Sequence, residues 1–323
     1  MPRFSKRLID VTGMRDVIQR RVPVMSVDSG VPGPVVWMVG CIHGDEPGGA
    51  VIIHDVFKSM REAGLQCGAL HALPLVNATG FENVSRFINS DREDLNRCFP
   101  GDARGTMGER IARKLFDLIV DSQPSLVIDL HNDWIQSVPY AVIEPQAQFP
   151  RLAVRNKTVQ LAHATGLLVV QETEITDASR HSLAGALVDA GVPSFTVEAG
   201  GACGIVESSI ESGKTAVLGA LNELGTYHLE NPSMPEQSAG ATVLDYTNRP
   251  CCTSSGIIRF SVAPGDTIGA KQVLGRVYGA FGGIEETLRA HRAGFVLGVS
   301  DHARALPGVE VIAIAELADR PNG

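Results

Sequence analysis

No dense run of lysine or arginine occurs in this 323-residue chain, whose formal net charge is −8. The basic footprint of a nucleic-acid-binding protein is missing, so no nucleic-acid partner is expected. No apolar stretch approaches the roughly 20 residues that a membrane-spanning helix needs, and no membrane partner is expected either. The opening residues, MPRFSKRLIDVTG, lack the apolar segment of a secretory signal, which predicts no signal peptide. Six cysteines (41, 67, 98, 203, 251 and 252) show neither Cys-x-x-Cys spacing nor the density of a disulfide scaffold. Reduced thiols and a cytoplasmic location are the expectation.

What is present is apolar residue in quantity, 44% of the chain, enough for a sizeable core in one large domain or two. From residue 20 to 230, short β-rich runs alternate with amphipathic helical patterns, the signature of an α/β sheet covered by helices. Strands are predicted at 22–27, 35–42, 69–76, 126–131, 139–143, 167–171 and 194–198. A helix is predicted from Pro47, with Val51, Ile52, Val56 and Met60 inward and Gly64 as its stop. Thr106-Met107-Gly108-Glu109 reads as a capping box opening a second helix through Ile111, Leu115, Leu118 and Ile119. Further helices are predicted at 149–164, 182–190 and 209–224, whereas 77–105 shows little periodicity and reads as a long functional loop. Residues 230–240, rich in Pro, Ser and Glu, read as a linker, and β-type runs follow at 242–246, 256–262, 273–278, 293–299 and 309–315. The expected division is therefore 1–229 and a smaller, mostly β domain at 230–323. Its Ser255-Gly256-Ile257-Ile258 and Ala263-Pro264-Gly265-Asp266 runs resemble the β-sandwich of biotinyl and lipoyl carriers. The matching hairpin, Tyr278–Gly283, holds no lysine, so the resemblance is to architecture alone.

Two apolar runs end in metal-type residues. Val35–Val39 leads into His43-Gly44-Asp45-Glu46, and Leu126–Leu130 leads into His131. Strand ends of open α/β sheets are where ligands collect. Together His43, Glu46 and His131 offer two nitrogens and an oxygen, the three-ligand set of a catalytic zinc with the fourth position left for water. Taken singly, each has a plainer reading: acidic groups complementing a helix start, or a hydrogen-bonded strand-end histidine. Asp94 and Asp129 are both candidates to receive a ring N–H from a ligating histidine. In the irregular loop, the Arg97 guanidinium suits a substrate carboxylate, with the Asn96 amide beside it, and Arg86 adds a positive group for a polarised carbonyl. The plain alternative there is a solvated turn. Glu198 ends the run Ser194–Val197, where a carboxylate is costly unless it is paired or placed in a cleft.

Taken in order, His43-x-x-Glu46, Arg86, Asp94-Leu95-Asn96-Arg97, Asp129-Leu130-His131 and Glu198 resemble the succinylglutamate desuccinylase/aspartoacylase branch of the zinc carboxypeptidase superfamily. The resemblance covers about 20–225 and extends to the β domain this branch appends. It implies a zinc carboxypeptidase-like mixed β-sheet flanked by helices, with a smaller C-terminal β-sandwich or barrel-like domain. It also implies one Zn2+ per chain on His43, Glu46 and His131. Glu198 then resembles the general base and acid, Arg86 the carbonyl-polarising arginine, Asn96 and Arg97 the carboxylate clamp, and Asp94 the support of the first zinc histidine. Arg180, His181 and Tyr140 are the stand-ins for groups that hold a second substrate carboxylate in some relatives.

The function expected on this basis is a zinc-dependent amidohydrolase that removes the acyl group from a small N-acylated amino acid or related amine. The alternatives are a metallocarboxypeptidase acting on short peptides, and a metal-binding protein without turnover. Sequence neither demands nor excludes a homo-oligomer.

Overall fold

A computed structural model of the chain describes residues 2–11, 19–134, 136–229 and 242–317. The expected linker, and with it the division between 229 and 230, falls at residues outside that description. The strands are β1 (Arg3–Asp10), β2 (Arg21–Asp28), β3 (Val35–Gly40), β4 (Ala69–Leu73), β5 (Leu126–His131), β6 (Tyr140–Ile143), β7 (Leu168–Gln171) and β8 (Ser194–Glu198). After them come β9 (Leu244–Thr247), β10 (Gly256–Phe260), β11 (Thr267–Ile268), β12 (Val273–Tyr278), β13 (Ile284–Arg289), β14 (Gly294–Val299), β15 (Arg304–Ala305) and β16 (Ile312–Glu316). The helices are α1 (Gly48–Ala63), α2 (Ala78–Glu82), α3 (Met107–Val120), α4 (Leu152–His163), α5 (Asp177–Arg180), α6 (Leu183–Asp189) and α7 (Glu207–Glu223).

Among the described residues, one 12-stranded mixed sheet runs β1-β2-β4-β3-β5-β8-β6-β7-β9-β16-β14-β11, and a second, four-stranded sheet runs β13-β12-β10-β15. At the centre, β4, β3, β5 and β8 are parallel neighbours, which requires crossover connections and cover on both faces. The sequence answers that requirement: β5, LVIDLH, is buried at every position. On one face α1, α4 and α7 contribute Ile52, Val56, Leu161, Ile210 and Val217 to the core; on the other α3 and α6 contribute Ile111, Leu115, Leu183 and Leu187. Gly49 lets the start of α1 lie directly on the sheet, since a Cβ there would come within 2.6 Å of the Leu130 carbonyl. That close approach is what brings the segment before α1 over the end of β5. Thr106 and Glu109 form the full reciprocal capping box of α3.

Every strand and helix expected before residue 230 is found, with ends shifted by a few residues, and Pro47 flanks α1 rather than opening it. The segment 77–105 is less irregular than its periodicity suggests, because it holds α2 and a short 3-10 turn at Leu95–Arg97. β1, β11, β13 and β15 were not anticipated. β1 is exposed along most of its length at the border of the sheet, so no buried face imprints an alternating pattern on it. The strands after residue 242 divide between two sheets: β9, β16, β14 and β11 continue the large one, and the others form the small one. A separate buried cluster, including Ile258, Leu274, Val277, Leu288 and Ile314, lies within this C-terminal part.

Candidate active site

The site forms where β3, β5 and β8 end side by side. Cys41 takes φ +54°, a backbone conformation uncommon outside glycine, as the chain turns out of β3 toward His43. Gly44 is pressed against α2, where a Cβ would run into the backbone of Gly80 and Phe81. The turn converges His43 and Glu46 on His131 from the end of β5. Glu46 Oε1 is 2.7 Å from His43 Nδ1, Glu46 Oε2 is 2.8 Å from His131 Nδ1, and the two Nδ1 atoms are 3.1 Å apart. All three residues are buried.

Behind each ring stands a carboxylate. Asp94 Oδ1 is 3.1 Å from His43 Nε2, and Asp129 Oδ2 is 3.0 Å from His131 Nε2. Asp94 and Asp129 thus divide the supporting task, one for each histidine. A ring proton on each outer nitrogen would face these carboxylates and leave both Nδ1 lone pairs turned inward, next to a carboxylate. Three acceptors within 2.7–3.1 Å of one another repel unless a cation lies among them. The donor chemistry, two imidazoles and one carboxylate, is that of a catalytic zinc site, and these residues fit such an ion.

The surrounding charges follow from this arrangement. Burial opposes ionisation of Glu46, but His43 and His131 outweigh it and hold its carboxyl well below the usual range. Asp94 behaves likewise, with burial overcome by His43, Arg86 and Arg97. Burial disfavours charge on His131, yet Asp129 and Glu46 raise its pKa well above the ordinary value, so the pocket attracts a cation, proton or metal, at its Nδ1. Arg86 Nε donates to Asp94 Oδ2 at 2.8 Å, and its Nη1 reaches within 3.2 Å of His43 Nδ1 and 3.5 Å of Glu46 Oε1.

Glu198 ends β8 opposite His131 in register, with Tyr140 of β6 opposite it on the other side. Its Oε2 is buried and, among the described residues, has no hydrogen-bond partner. Burial, reinforced by Asp133, Glu46 and Asp129 and opposed by His131, pushes its carboxyl up to about 8. Asn96 accepts from Leu183 N at 2.8 Å through its amide oxygen, and its Nδ2 lies 3.2 Å from His131 Nε2. Arg97 Nη1 donates to the Asn96 carbonyl at 2.6 Å and lines the same cavity as Glu198 and the three clustered residues. The cavity holds about 270 Å³, just below the roughly 300–1,000 Å³ range of ligand pockets.

All eight site residues expected from the sequence therefore fall at one location. Of the three stand-ins, Tyr140 lines the cavity and donates to Asp133 Oδ2 at 2.8 Å, whereas Arg180 faces Asp189 and His181 faces Asp177, away from it. Several participants escaped sequence reasoning. Asn132 gives its backbone N–H to Glu46 Oε2 at 3.1 Å, and its side chain accepts from Gly48 N and donates to the Gly200 carbonyl. Tyr246 of β9 reaches the cavity from the C-terminal part, its ring stacked on Tyr140 with centroids 6.3 Å apart. Glu144 and Glu172 line the cavity as well. The last two stand one residue past apolar strands, the same signal that singled out His131 and Glu198.

Comparison with known proteins agrees with this geometry. A curated relative, N-alpha-acetyl-L-2,4-diaminobutyric acid deacetylase of Halomonas elongata, is 26% identical over 308 residues, spanning 92% of this chain and 86% of the relative. An aspartoacylase family protein of Mesorhizobium loti superposes with a TM-score of 0.82 at 22% identity, covering 99% of this chain and 96% of that one. The product-bound ectoine utilization protein EutE (DoeB) of Ruegeria pomeroyi superposes at 0.80 with 22% identity, covering 98% and 95%. Residues 32–224 match the family described as the succinylglutamate desuccinylase/aspartoacylase catalytic domain. With that match spanning the strands that carry the whole His/Glu cluster, the chain belongs to the succinylglutamate desuccinylase/aspartoacylase family.

Proposed function

We infer that this protein is a zinc-dependent deacylase that hydrolyses the amide of a small N-acylated amino acid. One observation carries the reading. The inward-facing His43, Glu46 and His131 share a small cavity with a buried Glu198 oxygen that has no partner of its own. The deacetylase of Halomonas elongata supports the same class of reaction. A divalent ion held by His43, Glu46 and His131 would supply Lewis acidity, acidifying water and polarising the amide carbonyl.

The chain's own residues do the rest. Glu198 accepts a proton from water as the water oxygen adds to the carbonyl carbon. It then delivers that proton to the amide nitrogen, because an unprotonated amine leaves poorly. The C–N bond breaks, and with the remaining carboxyl proton passed to the amine the products are a carboxylate and an ammonium. Arg86, fixed by Asp94, directs its guanidinium at the oxygen on which charge develops. Arg97 holds the substrate carboxylate by a charge-assisted pair and sets the scissile bond beside Glu198. Asn96, held by the Leu183 N–H, fixes the backbone carbonyl that in turn positions Arg97.

The cavity size favours a small amide over a peptide, which would need an open cleft. The test is a release assay on N-acetyl, N-succinyl and N-formyl amino acids, run beside short peptides, with and without chelator. Chelator-sensitive release from at least one acyl amino acid is expected; activity indifferent to thorough metal removal, or confined to peptides, would overturn the reading.

A further inference from the structure

Beyond the His/Glu cluster, the cavity lining holds two further carboxylates, Glu144 and Glu172. Ile143 and Gln171 are register partners in the parallel pair β6 and β7, so Glu144 and Glu172 leave the two strand ends side by side. The Glu172 N–H donates to the Ile143 carbonyl at 3.0 Å, which pins the two backbones together. Glu144 is only 8% exposed, and its Oε2 is buried without any hydrogen-bond partner among the described residues. Its other oxygen accepts only a long 3.4 Å contact from Ser182 Oγ. Among the described residues, no lysine, arginine or histidine stands within ion-pair distance of either carboxylate. Burial and the neighbouring Glu172 push the Glu144 carboxyl up to about 8, and burial with Glu310 raises that of Glu172, in both cases against a smaller opposing pull from the Arg97 charge.

A nine-tenths-buried carboxylate with an unused oxygen, facing a cavity beside a second carboxylate, is costly in an empty pocket. It becomes favourable when the ligand brings a cation with hydrogen-bond donors. A protonated primary amine supplies both: one positive charge and three N–H donors. Arg97 lines the same cavity and, on the reading above, is engaged by the substrate carboxylate. The cavity thus offers one sector for a carboxylate and another for a cation.

We propose that Glu144 and Glu172 form a cation subsite that binds a side-chain ammonium of the substrate, making N-acylated diamino acids the preferred substrate class. This deepens the deacylase reading and rests on it for turnover, but the binding of an ammonium by the two carboxylates does not depend on it.

The experiment has two arms. In the first, kcat/KM is measured for Nα-acetyl-2,4-diaminobutyrate and for Nα-acetylnorvaline, in which a methyl replaces the ammonium. The wild-type protein is expected to favour the charged substrate by about tenfold or more, and Glu144→Gln and Glu172→Gln are each expected to reduce that ratio by a similar factor. In the second arm, binding of free 2,4-diaminobutyrate and of norvaline is followed by calorimetry on the same three proteins, so that the subsite is tested without turnover. Glu172, half-buried, provides a variant less exposed to folding defects than Glu144. Turnover of both substrates with no charge preference overturns the subsite and leaves the deacylase reading intact. Preferential, carboxylate-dependent binding of the diamine with no hydrolysis overturns the deacylase reading and leaves the subsite. Neither turnover nor preference overturns both.

Discussion

Glu198 and His131 stand opposite each other at the ends of the parallel strands β8 and β5, so that one ladder position holds both a cluster histidine and the unpartnered carboxylate beside it. Their spacing is therefore set by the sheet rather than by loops. A rigid scaffold of this kind is what positions a proton-transferring group to a fraction of an ångström.

Replacing Glu198 by Gln keeps the shape and removes the base. Turnover is expected to fall by roughly 10²–10⁴-fold, while metal content, measured by elemental analysis, stays at the wild-type level. Full activity in Glu198→Gln would rule out its role in proton transfer.

Gly44 tests the turn that delivers His43 and Glu46. Because a Cβ there meets the Gly80 and Phe81 backbone, neither side can yield cheaply. Gly44→Ala is expected to cost about 1–3 kcal/mol of stability and to weaken metal binding by roughly tenfold or more. The checks are thermal unfolding and competition with a chromophoric chelator. A related expectation concerns the wild-type protein: zinc in excess should raise its Tm, and chelator should remove the increment. A Tm indifferent to zinc would argue against the cluster as a metal site.

Arg97→Ala should raise KM for an acyl amino acid by about ten- to a hundredfold, with a smaller change in kcat. Arg97→Lys should restore little, since an ammonium lacks the planar fork that matches a carboxylate. An amide substrate without the carboxylate should be nearly blind to both changes; equal loss on that substrate would move Arg97 from substrate capture to a structural task.

The raised Glu144 carboxyl makes a statement about stability. Between its ordinary value of 4.5 and about 8, the folded protein holds a proton at Glu144 that the unfolded chain has released. Stability therefore falls as pH rises through that window, and the cost is complete above it. Glu144→Gln removes the cost, so its Tm should exceed the wild-type value by a few degrees at alkaline pH and converge with it toward pH 5. Parallel Tm curves for the two proteins would contradict the assignment.

Much of this was legible before any coordinates. The central strands announce themselves because burial on both faces demands unbroken apolar runs such as Val35–Val39 and Leu126–Leu130, and their ends carry the cluster. The capping box at Thr106 is local chemistry and is read directly. β1 and β13, by contrast, lie largely exposed, and with Leu288 the one buried position of β13 neither sequence records a continuous buried face. Within the site, His43, Glu46, His131 and Glu198 were readable as residue types at strand ends. Asn132 was not, because its contribution is a backbone N–H and an amide bridging Gly48 and Gly200, which any hydrogen-bonding side chain in a loop could resemble. Tyr246 was hidden by distance: nothing local to β9 reveals that it closes a cavity built 48 or more residues earlier by strands ending at Glu198.

β9 also does something for β7. Val170 and Gln171 pair with Leu244 and Asp245, and the Gln171 amide donates to Asp245 Oδ1 at 3.0 Å. A chain stopped before residue 242 would leave the outer edge of Leu168–Gln171 unpaired, ready to template onto a neighbouring molecule. The late strands therefore guard the solubility of the half that carries the chemistry, and shortening the protein to its family-matching segment invites aggregation rather than a minimal enzyme.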